Sequence, residues 1–175
     1  MTLTKMQAVS VLGLVVLLLL VLSLHSRLLP AQCQPRVPVE QAKALISDLD
    51  KDSLAFSSST KQIYNESSEG GFQTNYTDSN GKLRIIEERL FGAIGRTFMR
   101  FYFDDEKLFA LVKLDEQYQA PINVNPDVVV NKSTEEDYYF SSDKHVCTFI
   151  SDGQSQLLGT TTQEMIESFI SQIQM

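Results

Sequence analysis

The 175-residue sequence predicts an α+β domain. It reads as an antiparallel β-meander of five to six strands covered by an N-terminal and a C-terminal amphipathic helix, preceded by one transmembrane or signal helix. Three observations predict this. A nearly pure aliphatic run lies before residue 25, whereas all 10 Phe and 6 Tyr lie after residue 55. From Gly70 onward, short alternating apolar and polar runs are separated by Gly, Asn and Asp turns, the pattern of hairpin-linked strands. On either side of that region, apolar residues recur at three- and four-residue spacing.

The chain opens with Ala8 to Leu24, AVSVLGLVVLLLLVLSL, 17 residues without a charge. Secretory cores run to about 7–15 residues and membrane spans to about 17–25. An uncleaved signal anchor over 1–27 is preferred to a cleaved signal peptide, because a cut after Ala31 would place bulky Leu29 where a small residue is needed. Cys33 offers lipid attachment as a second anchor, although Gln32 before it is a poor fit. Pro30 and Pro35 mark residues 28–37 as a short stiff linker. Residues 38–175 then form a single extracytoplasmic domain, secreted or periplasmic if the leader is removed.

Pro38 suits a first helical turn, and Ala42, Leu45, Ile46 and Leu49 give one apolar stripe over 38–50. Residues 57–60 are a polar break, and 61–65 fit a strand or a helical end. Gly70-Gly71 opens a strand ending at Asp78-Ser79-Asn80-Gly81, a strong hairpin turn because Asn-Gly tolerates positive φ. Strands follow over 82–91, 96–104 and 108–114, reversing at Gly92–Gly95 and Asp104–Lys107. Residues 119–135 read as a long loop, in which Val128-Val129-Val130 could add an edge strand, followed by strands over 137–141 and 145–150. After Gly159, Met165, Ile166, Phe169, Ile170 and Ile173 form a second helical stripe; both helices are expected on one face of the sheet.

The segments FMRFYFDDEKLFALVKLDEQYQAP (98–121) and EDYYFSSDKHVCTFI (136–150) each set an aromatic run before an acidic turn and a Lys. Over residues 70–151 the chain thereby resembles a loosely defined group of small exported or lipid-anchored bacterial β-meander proteins. The resemblance implies architecture only, since that group carries no known activity.

Charge excludes some partners. Once Lys5, Arg27 and Arg36 are set aside with the leader, 12 basic residues face all 22 acidic ones, a body of −10. Such a surface opposes binding to nucleic-acid phosphates and to anionic lipid. Three N-x-S/T sequons, at Asn65, Asn75 and Asn131, would accept glycans only in a eukaryotic lumen. Cys33 lies beside the membrane segment and Cys147 in a strand, so no internal disulfide is expected.

No catalytic constellation emerges, and neither a metal nor a cofactor is expected. Asp48, Asp50 and Asp52 imitate a calcium loop, but Ser53 stands where Gly is needed and Ser59 where a bidentate Glu is needed. Ser58-x-x-Lys61 has the spacing of penicillin-recognising enzymes without their other motifs. Gly92-x-x-Gly95 resembles an RNA clamp but reads better as a turn. His145 and Cys147 fall on one face of a strand, where Asp143 or Asp152 could orient the imidazole. Arg84, Glu87, Glu88, Arg89, Arg96 and Arg100 place charge inside strands, as solvated ion pairs or as a binding face. The candidate binding face is Tyr76, Arg84, Glu88, Arg100 and Tyr102. The expected function is a membrane-tethered or secreted binding module for a protein or envelope component, attached to the membrane through 8–24 and without nucleic acid. The alternative is a hydrolase or thiol enzyme using Cys147 and His145 or the Glu87/Glu88 region.

Overall fold

A computed structural model describes residues 33–64, 67–124, 128–142 and 145–156, together with positions 164 and 166. Among these, one helix, α1 (Val39–Asp52), and a 3-10 turn (Ser53–Ala55) precede eight strands. The strands are β1 (Ser57–Ile63), β2 (Gly71–Thr77), β3 (Leu83–Gly92), β4 (Gly95–Asp104), β5 (Lys107–Tyr118), β6 (Val130–Phe140), β7 (Val146–Ser151) and β8 (Gln154–Gln156). They form one sheet in sequence order, every neighbouring pair antiparallel. The meander is thus longer than the expected five to six strands, while the α+β class stands.

Local chemistry accounts for the turns. Asp78 accepts backbone bonds from Asn80 (2.9 Å) and Lys82 (3.1 Å), and Gly81 takes φ +77°. These bonds close the β2–β3 hairpin, because the Asx side chain replaces a backbone acceptor while Gly supplies the left-handed residue. At the β4–β5 turn Asp105 and Glu106 adopt φ +49° and +61°, and Lys82 Nζ lies 2.7 Å from Asp105 Oδ1, joining the two turns. At the opposite sheet end Gly92 and Gly95 pair across the β3–β4 turn. A Cβ on Gly95 would lie 2.4 Å from Glu116 O, so the GxxG sequence serves close packing against β5.

Directly opposed residues on neighbouring strands share a face, so the register sorts the core into two layers. On the helix side, Ile85, Tyr102, Phe109, Ala110 and Tyr139 pack with Ala42 and Leu49 of α1, and Leu45 and Ile46 join their margin. This is the stripe expected from the helical spacing. On the other side, Ile86, Phe101, Phe103, Leu111, Tyr138 and Phe140 form the second layer. Ile166, helical and buried, packs into this second layer. The expected placement of both helices on one face is therefore corrected: α1 and Ile166 belong to opposite layers. The rest of the stripe after Gly159 lies outside the described residues.

Val37 is buried in the helix-side layer, and Arg36 N donates to Phe140 O at 2.7 Å, so the chain enters beside the end of β6. The supposed anchor over 8–24 lies outside the described residues; among those described, no helix is long and apolar enough to cross a membrane. Phe101 is 0% exposed, flanked along β4 by Arg100 and Tyr102 on the other face. Phe101→Ala is expected to cost about 3–5 kcal/mol of unfolding free energy, measured by urea titration. Leu54→Ala, at a side chain 95% exposed, should shift it by less than about 0.5 kcal/mol.

Candidate functional site

The register brings only part of the expected binding face together. Tyr76, Ile85, Tyr102, Ala110 and Tyr139 form one row across the helix-side face, and Thr74, Glu87, Arg100, Val112, Asp137 and Ile150 form the next. Tyr76, Arg100 and Tyr102 therefore share a face, as expected. Glu88 does not: it sits on the opposite face, 3% exposed, opposed by Gln73 and Met99. Adjacent residues of a strand alternate sides, so Glu87 rather than Glu88 joins the group. Arg84 is the extra residue of a bulge where β3 shifts against β2 between Tyr76 and Thr77.

Arg100 is the hub of the helix-side face. Its Nη1 lies 2.8 Å from Asp50 Oδ1 on α1, its Nε 3.3 Å from Glu87 Oε2, and its guanidinium 5.9 Å from the Tyr102 ring centroid. Tyr102 donates its hydroxyl to Asp50 at 3.1 Å, and Arg89 Nη2 lies 2.6 Å from Glu87 Oε1. Burial, followed by the neighbouring Asp50 charge, pushes the Tyr102 phenol above its ordinary range against the pull of Arg100. Asp50 thus ties the end of α1 to the sheet, and Asp48 lies 3.5 Å from Lys51.

The enzyme readings meet three geometric obstacles. Glu87 and Glu88 point to opposite faces, so they cannot act as a carboxylate pair on one substrate. Ser58 and Lys61, three apart in β1, likewise lie on opposite faces. Cys147 is the extra residue of a bulge in β7, and exposed His145 precedes the strand, its NH donating to Ser141 Oγ at 3.2 Å. The alternation that put the two side chains on one face is broken there. Asp143 lies outside the described residues.

Both cysteines are disulfide-bonded. The chain has two, so the bond joins Cys33 and Cys147, correcting the expectation of no internal bridge. A disulfide sulfur offers neither a thiolate nucleophile nor a position for a thioether lipid. Of the sequons, Asn131 is exposed at a bulge of β6, half-buried Asn75 accepts a bond from Gln73 at 2.8 Å, and Asn65 lies outside the described residues.

Beside the Arg100 hub a cleft of about 480 Å³ opens between α1 and strands β5–β7. Ile46, Val112 and Ile150 supply its apolar wall, and Asp137 and Glu135 its acidic rim. Asp137 is opposed by Val112 on one side and Ile150 on the other. Burial first, then the like charge of Glu135, raises its pKa, while Lys43 opposes the shift. On the other face two comparable carboxylates share a cation: Lys113 Nζ lies 3.1 Å from Glu136 and bonds Asp115, and Tyr138 donates to Glu136 at 2.9 Å. Sequence reasoning missed Asp50, Glu87 and Asp137 as members of one face, since strand register is what assembles them.

Toward the β3–β4 turn, among the described residues, the helix-side face lies outside the cluster packed on α1. Phe72 is 43% exposed there and packs edge-on against Phe91, exposed Arg89 lies opposite Phe98, and the Arg96 guanidinium stands 5.0 Å over the Phe98 ring. Compared with family models, curated proteins and solved structures, the chain matches none.

Two measurements check this geometry. A thiol reagent should find no free thiol in the native chain and two after denaturation and reduction; a rapidly titrating native thiol would contradict the bonded state. Asp137→Asn should stabilise the fold at pH 7, because a carboxyl whose folded pKa is raised opposes folding once ionised. The gain should vanish below the ordinary pKa of 3.8, where the carboxyl is protonated in both states, and grow as pH rises through the raised folded value. Thermal unfolding over a pH series reads this out.

Proposed function

We propose that the chain is an extracytoplasmic binding module, membrane-tethered or secreted, that recognises a protein or envelope component through the helix-side face of its sheet. In this reading residues 8–24 anchor the chain or direct its export, and an amphipathic helix after Gly159 covers the opposite face through Ile166. The observation that carries it is the exposure of Phe72 and Arg89 on the helix-side face. Phe72, Phe98, Arg89 and Arg96 lie there outside the cover of α1, held in place by cross-strand pairing. Aromatic and Arg side chains are the types enriched at interface hot spots, because they bury large surfaces and retain directional bonds. The disulfide-bonded cysteines support the compartment, since such bonds persist mainly in oxidising surroundings.

The test is mild crosslinking of the full chain in its native membranes, with capture quantified for wild type and for the face variants Phe72→Lys and Arg89→Glu. Both positions are exposed, so the variants should fold. Each should lower capture of the crosslinked partner by at least about tenfold. Undiminished capture by both, or no partner with the wild-type chain, overturns the reading.

A further inference from the structure

The cleft between α1 and β5–β7 has an imbalance that a second cleft among the described residues lacks. The second cleft, about 380 Å³ beside the β3–β4 turn, contains Arg96 and Glu116 already paired with each other. In the α1 cleft, Asp50 is likewise paired with Arg100. Glu135 and Asp137 are different. They stand two residues apart on β6 with side chains on one face, Asp137 between the aliphatic Val112 and Ile150. Asp137 accepts one long bond, from the Tyr139 hydroxyl at 3.5 Å, and the cation bearing on it is Lys43, whose ammonium lies 3.8 Å from Glu40 and is shared with it. Like-charged carboxylates beside an apolar wall attract a cation that can also cover that wall.

We propose that this cleft binds a ligand bearing a primary ammonium on an apolar stem, the ammonium at Asp137 and Glu135 and the stem against Ile46, Val112 and Ile150. The inference rests on the reading of the helix-side face as a binding surface and names the chemistry recognised at one end of it. The volume of about 480 Å³ falls within the range of small-ligand sites, about 300–1,000 Å³. It is open enough for a lysine side chain of a partner as well as for a free amphipathic amine. The acidic body, −10 without the leader, steers either one toward the site.

The experiment uses the full chain in a nonionic detergent, with methyl resonances of Ile46, Val112 and Ile150 followed as hexylamine, hexanoate or Nα-acetyl-lysine methylamide is added. Hexylamine should shift these methyls, and hexanoate should bind at least about tenfold more weakly. Asp137→Asn, expected to be the more stable protein, should abolish the hexylamine shifts while keeping a folded spectrum. Lys43→Met should tighten binding by about threefold by removing the competing ammonium. Shifts with the lysine derivative as well point to a protein side chain as the source; shifts with hexylamine alone point to a free amine. Equal binding of hexanoate, retained binding in Asp137→Asn, or no shift with either amine overturns the proposal. If the amines fail while Arg89→Glu still loses the crosslinked partner, this inference falls and the binding-module reading stands. If hexylamine binds while both face variants keep full capture, the reverse holds.

Discussion

The fold depends on strands that bury both faces at one end of the sheet. In β4, Phe101, Tyr102 and Phe103 are consecutive and all buried, which is possible only if something apolar covers each side. In β6 Tyr138, Tyr139 and Phe140 repeat the arrangement. Alternation sends Tyr102 and Tyr139 to the α1 layer and their neighbours to the other layer, so two cores are built from one run of sequence. A meander satisfies this with short connections, because sequential antiparallel strands need only tight turns. Toward the other end the same strands turn polar and aromatic-cationic, and α1 does not extend over that part of the helix-side face.

That constraint explains which elements were legible. Strands β2 to β5 were readable because Asn80-Gly81, Gly92–Gly95 and Asp104–Lys107 punctuate clear alternation. Strand β1 was not: Ser57 to Gln62 are all exposed, so an edge strand seen by solvent on both sides carries no hydrophobic period. The first half of β6, Val130 to Glu135, was hidden for the same reason and read as loop. It is held in the sheet by β5, a long-range pairing that local composition does not report. β8 is three residues long, below what periodicity can detect.

The candidate site was legible by composition and illegible by side. Choosing Glu88 with Arg84, Arg100 and the tyrosines followed from their nearness in sequence, but a strand reverses its face at every residue. The one-residue difference between Glu87 and Glu88 moves a carboxylate from a partly buried ion-pair network into a core. The cysteines show the complementary failure. Sequence distance and an adjacent apolar leader argued against a bridge, while the entry of the chain beside β6, fixed by the Arg36–Phe140 bond and the burial of Val37, is a tertiary feature.

The two charged groups on the helix-side face differ in a way that separates structure from function. In the Arg100 group Asp50, Glu87 and Tyr102 each find a partner, and it fastens α1 to the sheet. The Asp137 group is less well compensated, a carboxylate between two aliphatic side chains beside a like charge, with one long bond from Tyr139. Replacing a partly buried carboxylate by its neutral isostere removes a desolvation cost without changing shape, so a sequence optimised for stability alone would favour Asn there. Binding sites are where local rules are broken at a cost in stability. Asp137 breaks one within a cleft of ligand size, on the face that α1 leaves partly open. An ammonium seated there would relieve the repulsion, much as Lys113 bridges Asp115 and Glu136 on the opposite face.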